Sequence, residues 1–443
     1  MSLVSGLVLS GCAAHMPAQT QLDSLLKNGD YPSALKLVQD PKTDYGRRND
    51  LLLKLDKGIT LHYAGQYASS AQEFESAKIS FEQLYTKSVS TIAATWAIND
   101  TAGPYRGEDF ERVLVNIFQA LNYVRQDQPQ EAMVEARDVD SILRTINDGY
   151  PPDKKNIYRE DAFARLLMGL IYESSGLPQD YNDAYIEYAR AAKIYQQEYD
   201  ADYGTPVPQL LQENLLAAAQ FMGKQEFDQW HKLYPQADFM PWKEKKQKAE
   251  VYVIQYAGLS PQKKEVLVPV PLPNGYVQYA FPAYQLRPTA VPQAIFQARA
   301  IDHGDKAFQS ATELGEDISA IAVKNLDNRK ARFIAKAIIS STGKFVAEKQ
   351  IQRQIHRKQG DAAAFGFEIL GDVFNAATSR ADTRCWLTLP AQIRIARLIL
   401  EPGEYALSVT SQVSPGQTGP HLELGTIKLS PGQKKWFIIK TVE

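Results

Sequence analysis

Residues 58–77 read Gly58-Ile59-Thr60-Leu61-His62-Tyr63-Ala64-Gly65-Gln66-Tyr67-Ala68-Ser69-Ser70-Ala71-Gln72-Glu73-Phe74-Glu75-Ser76-Ala77, and how this stretch folds decides the architecture of the first half. Gly58 stands seven residues before Gly65, and Gly65-Gln66-Tyr67 is followed by Ser70, Phe74 and Ala77. Small residues at fixed positions, with an aromatic one helical turn further on, are what two antiparallel helices need to pack closely. The same pattern stands 36 residues upstream as Gly29-Asp30-Tyr31 with Ala34 and Val38. A weaker copy follows as Ala120, Asp127-Gln128-Pro129, Ala132 and Ala136. A fourth has Gly169, Tyr172 and Gly176, then Tyr181, Ala184, Tyr188 and Ala191. The spacing predicts a helical domain over residues 22–242, either as stacked repeats or as a bundle in which the Gly and Ala spacing is incidental.

The period resembles that of the tetratricopeptide (TPR) repeat, about 34 residues. The resemblance runs from about residue 20 to 235, although the usual Trp is absent from all four copies. It implies an α-solenoid, which buries a core once about three repeats stack, and which holds a protein or peptide partner in its groove.

Between the second and third copies lies an interruption, Lys87 to Ala97 and then Asp100 to Asp109. It holds small residues, Trp96 and a Gly103-Pro104 turn, with few charges before Asp100. Long connections in compact domains are mostly functional or disordered, and this one is too apolar for disorder. Two roles suit it: a flap that lines a groove on the concave face through Trp96, Tyr105 and Arg106, or a plug in the solenoid core.

The chain opens on Leu3-Val4-Ser5-Gly6-Leu7-Val8 and closes that apolar run with Leu9-Ser10-Gly11-Cys12. The last four resemble a bacterial lipobox, which is cleaved ahead of its cysteine. The apolar stretch and small residues of a secretory signal are present, and its basic n-region is missing. The resemblance implies that residues 1–12 are a signal segment, that Cys12 carries lipid, and that residues 13–21 are a tether. Two or more acyl chains make such an attachment stable. No run approaches the roughly 18 uninterrupted apolar residues of a spanning helix, so the expectation is a protein anchored to a membrane rather than crossing it. Ala13, following the cysteine, goes with outer-membrane export in the lipoproteins that the pattern resembles.

A chain of 443 residues suggests two or three domains. Its 49 basic and 51 acidic side chains give a formal charge of −2, so no polyelectrolyte character points to nucleic acid. Cys12 and Cys385 are the two cysteines. With Cys12 modified, a disulfide framework is excluded, as are zinc sites built on two or more cysteines.

Residues 243–443 read as a mixed domain. Glu250 to Tyr256 is β-branched and aromatic, a strand ended by Gly258. Val266–Val270 and Tyr276–Phe281 have strand length, and Pro269, Pro271, Pro273 and Pro282 confine them to edges or short ladders. Residues 315–380 turn helical. Within them the segment from Arg329 to Lys358, with Lys349, Arg353 and Arg357, is basic with Glu348 as its single acid; it suits an anionic partner or a solvated face balanced by acids elsewhere. Gly360 to Ala377 is apolar apart from Asp361, Glu368, Asp372 and Asn375 on one narrow stripe, which reads as a buried central helix rather than a bilayer-inserting one, because an acidic stripe without flanking cations suits a protein core better. Leu400-Glu401-Pro402-Gly403 and Leu429-Ser430-Pro431-Gly432 are turns followed by strand-like runs. The fold class expected is therefore α+β and multidomain, an N-terminal TPR-like α-solenoid followed by a mixed α/β domain ending in a small β-sandwich.

The lipobox, Glu131 to Arg137 and Ala381 through Leu398 together resemble a family of Gram-negative outer-membrane lipoproteins that pair a TPR-like half with a β-rich half. That resemblance implies a periplasm-facing scaffold or adaptor in cell-envelope assembly or cell-wall synthesis, and it supplies no catalytic residues. The six histidines stand apart, and neither a Gly-x-Ser-x-Gly elbow nor a phosphate-cradling loop is present. Cys385 beside Trp386 suits a buried structural cysteine better than a nucleophile, and Asp382 with Arg384 an ion pair or cap. The expectation is no enzyme, no cofactor, no metal and no nucleic acid. Outer-membrane lipid would be met through Cys12 and an envelope protein or peptide in the groove. Peptidoglycan or exported polysaccharide, gripped through Trp96 and the Tyr-rich surfaces, is the rival.

Overall fold

The structure is a computed structural model that describes residues 17–43, 45–89, 103–148, 157–175, 177–272, 275–287, 293–301, 306–331, 381–414 and 417–441. The helices come as hairpins: α1 (Pro17–Lys27) with α2 (Tyr31–Gln39), α3 (Asp50–Tyr63) with α4 (Tyr67–Val89), α5 (Asp109–Arg125) with α6 (Pro129–Asp148), and α7 (Ala162–Ser174) with α8 (Pro178–Ile194). A π-helical turn at Tyr195–Tyr199 leads into α9 (Asp200–Tyr203). Next come α10 (Gln209–Met222), α11 (Lys224–Leu233) and α12 (Trp242–Lys245).

Three of the hairpin turns are built alike. Gly29, Gly65 and Asp127 all have positive φ, +68°, +73° and +55°. Each sends its own amide and the next one back onto the helix just ended: Gly65 to His62 and Gln66 to Leu61, Gly29 to Leu26 and Asp30 to Leu25, Asp127 to Val124 and Gln128 to Tyr123. This paired return satisfies the last carbonyls, and it requires a residue that tolerates the left-handed region. Inside the hairpins, Gly58 of α3 lies against Phe74 of α4, where a Cβ would stand 2.6 Å from the ring. Gly169 of α7 meets Tyr188 of α8 in the same way, at 2.4 Å. The small residues of the repeated pattern are therefore the places where one helix admits the aromatic of the next.

Ten strands follow in chain order among the described residues. β1 (Ala249–Ala257), β6 (Glu313–Asp317), β7 (Gln392–Leu400) and β10 (Lys434–Thr441) make a four-stranded sheet in the order β10-β1-β7-β6. β10 runs parallel to β1, and β7 antiparallel to it. A second four-stranded sheet joins β4 (Gln293–Ala300), β5 (Ala307–Ala311), β8 (Gly403–Ser414) and β9 (Gln417–Leu429) in the order β5-β4-β8-β9. β2 (Gln262–Leu272) and β3 (Gly275–Gln285) form a separate antiparallel hairpin.

Alternation along β1 sets the layers, because successive strand side chains point to opposite faces. Tyr252, Ile254 and Tyr256 join a core with Phe74, Phe118 and Trp386, whereas Val251 and Val253 join Phe296, Leu407 and Val409 of the second sheet. β7 does the same, with Ile393 and Ile395 toward the helices and Leu398 and Leu400 toward the second sheet. The first sheet is thus buried on both faces, and the molecule is layered helices against sheet against sheet.

The strand expected from residue 250 ends at Gly258, whose φ is +64°. Those expected at 266–270 and 276–281 extend to eleven residues each; a hairpin with no further partner strand among the described residues accommodates their prolines. Residues 318–331 are helical. The Pro-Gly turns link β7 to β8 and β9 to β10. The division expected at residue 242 coincides with α12, but packing crosses it: Tyr252, Tyr256, Trp386 and Trp436 share one core with α3, α5 and α7. Cys12, Trp96, Lys349, Arg353, Arg357 and the 360–377 segment lie outside the described residues.

Candidate partner-binding site

The inner helical face, where the repeat resemblance places a groove, is filled by the chain's own first sheet. His62 on α3, 1 % exposed, joins the two. Asn122 of α5 donates through Nδ2 to Ser70 Oγ at 2.9 Å, so its Oδ1 is the acceptor for His62 Nδ1–H at 2.7 Å. His62 Nε2 is then left to accept from the Tyr256 hydroxyl of β1 at 2.8 Å. Ser70 Oγ–H in turn donates to Gly58 C=O at 2.7 Å, completing a chain from strand to helix hairpin. Further along, Tyr63 donates to Thr388 C=O at 3.0 Å and Tyr195 to Gly315 C=O at 2.6 Å. The expected open groove is corrected on this ground: the aromatics that would line it are spent on β1, β6 and the residues around Trp386.

This seam is pH-sensitive. Burial pushes the His62 imidazole down to about 4, against the pull of its Asn122 hydrogen bond. The unfolded chain takes up this proton near pH 6.5 and the folded chain only near 4, so the stability is whole above 6.5 and is lost as pH falls. Equilibrium urea unfolding is expected to show a loss on the order of 3 kcal/mol across that interval from this residue. The His62→Gln variant should lack that increment; an identical pH slope in the variant would contradict the assignment.

The residues singled out by sequence chemistry fall into closed clusters. Tyr105 is buried, donates to Glu111 at 2.5 Å, and lies beneath the Arg384 guanidinium. It is therefore a packed residue and not a partner contact, while Arg106 beside it is partly exposed. Arg384 and Asp382 form the expected ion pair at 2.7 Å, and Arg384 also reaches Asn49 and Gly103 C=O. Cys385 is a free, buried thiol, which burial pushes up to about 12; it stays protonated at neutral pH. Beside it Glu108 meets Lys263 and Arg329. Burial opposes ionisation of Glu108, yet the two cations hold it down at about 2. The buried acids Asp161 and Glu316, each 1 % exposed, accept from Tyr158 and Tyr199. Among the described residues no group of three or more His, Cys, Asp or Glu is placed to hold a metal ion, and no helix is long and apolar enough to cross a membrane.

An opening lies instead between α4, α5 and α6. It is a cavity of about 340 Å³. Arg112 and Asn116 of α5 line it, with Phe81 and Tyr85 from α4 and Asp138 and Ile142 from α6. Arg112 and Asn116 are four residues apart and so share one helix face. The Arg112 guanidinium stacks 5.1 Å from the Tyr85 ring centroid. Lys78 at the rim is held by Glu135 at 2.9 Å and Asp138 at 3.4 Å. Sequence reasoning missed this cleft; its one local signal is Arg112 and Asn116 recurring at helical spacing in an otherwise apolar stretch of α5.

No protein-family model and no curated protein matches the chain. Among solved structures, it is similar to a point variant of a putative kinesin light chain of Podospora anserina with nearly identical TPR-like repeats, at 15 % identity and a TM-score of 0.31, over 49 % of this chain and 91 % of that one. A structure of the same protein without that substitution gives 16 % identity and a TM-score of 0.30, over 48 % and 90 %. A MamA chain (MSR-1) gives 13 % identity and 0.28, over 50 % and 97 %. At such TM-scores the likenesses carry no argument, and the helical-repeat character rests on the hairpins themselves.

Proposed function

We propose that this protein is a non-catalytic scaffold lipoprotein, anchored in the outer membrane through Cys12 and facing the periplasm, whose helical half recruits a protein or peptide partner in envelope assembly or cell-wall synthesis. One observation supports the recruiting role most. Helix hairpins packed against the chain's own sheet still leave a cleft open between α4 and α6. A body held by one continuous core presents such a surface rigidly, and rigidity lowers the entropic cost of binding. A lipid tether would raise the local concentration of that surface at the membrane.

The test is crosslinking in cells, followed by affinity purification of the lipidated protein and of Cys12→Ala from envelope fractions. One envelope protein recovered with the lipidated form and depleted with Cys12→Ala is the expected result. Recovery of sacculus or polysaccharide fragments alone would replace this reading with carbohydrate binding.

A further inference from the structure

We propose that the cleft between α4, α5 and α6 is a peptide-backbone site: it takes a short extended segment of a partner, one amide of which is held between Arg112 and Asn116. The proposal rests on the scaffold reading and names the chemistry that its surface recognises.

Asn116 is fully buried, at 0 % exposure, yet lines the cavity. Its amide is oriented by Glu135, because Nδ2 donates to Glu135 Oε2 at 2.9 Å, and a carboxylate engaged with Lys78 can only accept. The other end, Oδ1, has no hydrogen-bond donor among the described residues. One turn earlier on the same helix face, Arg112 Nη1 likewise has no partner among them. Buried polar atoms are nearly always paired, so two bare ones on neighbouring residues that line one cavity call for an explanation. A missing donor and a missing acceptor in the same opening are together complementary to an amide, whose C=O would meet Nη1 and whose N–H would meet Oδ1.

Charge narrows the ligand further. Lys78 and Arg112 are the cations of the described lining, against Glu82 and Asp138, and Glu135 stands just behind. Lys78 is already engaged by carboxylates. Among the described residues the neighbourhood is net acidic, which disfavours a free carboxylate or phosphate and favours a neutral amide flanked by uncharged or basic residues. Phe81, Tyr85 and Ile142 supply an apolar wall for one side chain. The volume, about 340 Å³, is near the lower end for ligand sites, roughly 300–1,000 Å³, and fits a few residues of chain. An N-acetylated sugar also carries an amide, but it stacks on an aromatic face. One face of Tyr85 already carries Arg112 and its hydroxyl is spent on Thr145 C=O at 2.8 Å.

The experiment uses the full chain with two probes, a positional-scanning library of acetylated, amidated pentapeptides and the N-acetylglucosamine tetramer. It compares wild type with Arg112→Gln and Ser141→Trp. Ser141 is exposed at the cavity mouth, so a Trp there blocks entry without touching the core, and an unchanged unfolding midpoint verifies this. Pentapeptide pools enriched in basic and apolar residues should bind, and each variant should weaken them by about tenfold or more. Absence of pentapeptide binding, binding indifferent to Ser141→Trp, or binding of the tetramer alone overturns the proposal. If Ser141→Trp still crosslinks the envelope partner, the cleft assignment falls and the scaffold reading stands. If pentapeptides bind the cleft but crosslinking recovers no protein, the scaffold reading falls and the cleft stands.

Discussion

Replacing Trp386 with alanine is expected to cost about 3–5 kcal/mol of stability, and to destabilise the helices as much as the sheet. Trp386 is 1 % exposed and comes from the residues that precede β7, yet it packs on rings of the helical half, Phe74 of α4 at 6.1 Å and Phe118 of α5 at 6.0 Å between centroids. Its indole nitrogen has no hydrogen-bond partner among the described residues, so the loss is one of packing and not of polar bonding. The backbone on either side is fixed independently: Trp386 N–H donates to Glu111 at 2.9 Å, and its C=O accepts from Ser260 at 3.2 Å. The site therefore cannot collapse easily around the vacated volume, which is the condition under which large-to-small changes cost most. Urea unfolding followed by far-ultraviolet circular dichroism measures it. A loss below about 1 kcal/mol would show that the indole is not part of a shared core.

Glu250→Gln is expected to destabilise the fold by about 3–5 kcal/mol as well, for an electrostatic reason. At the other end of the seam, three carboxylates and three cations are enclosed together. Glu250 of β1 meets Lys245 of α12 and Arg397 of β7, each at 3.4 Å, and also Lys434 of β10. Glu173 of α7 takes Lys245 at 2.5 Å and Lys434 at 3.6 Å, and Glu213 of α10 takes Arg397 at 2.5 Å. The charges balance, and nearly all of these side chains are buried. Removing one carboxylate leaves a net positive charge with no water to solvate it, which is costlier than the ion pair was favourable. Burial alone would raise the Glu250 carboxyl, but Lys245, Lys434 and Arg397 hold it far below the ordinary range. Its contribution is thus present above the unfolded value of 4.5 and is lost as pH falls below it, so the penalty of Glu250→Gln should shrink in acid. Adding Lys434→Met to Glu250→Gln should restore part of the loss; a double variant as unstable as the sum of the singles would contradict the charge-balance explanation.

The helix hairpins were legible because their signals are local. Gly29 and Gly65 announce turns that need positive φ, and Gly58 followed by Phe74 announces a close helix approach. β1 was legible as a strand from its β-branched and aromatic run, but not as a strand with two buried faces. Glu250, Tyr252 and Tyr256 look like a polar, solvent-facing side, and only the cations of α12, β7 and β10, together with His62 of α3, make them interior. Those partners lie up to 194 positions away, as between His62 and Tyr256, and no periodicity reports such a pairing. Tyr105 misled for the same reason: next to a turn it reads as exposed, whereas Glu111 and Arg384 enclose it. The cleft is hidden because Arg112 and Asn116 come to line one cavity only once α4 and α6 have closed around them.

The central claim is that the helices and the first sheet are one cooperative body, which seals the inner helical face and leaves the cleft between α4, α5 and α6 as the place for a partner. Hydrogen–deuterium exchange of the native full chain, resolved by peptide, tests it most directly. Segments of α3, α5 and α7 should open with the same free energy as β1 and β7, and Trp386→Ala should lower all of them together. Exchange of β1 and β7 at low free energy, with α3, α5 and α7 still protected, would show two separable domains and an inner groove free to bind.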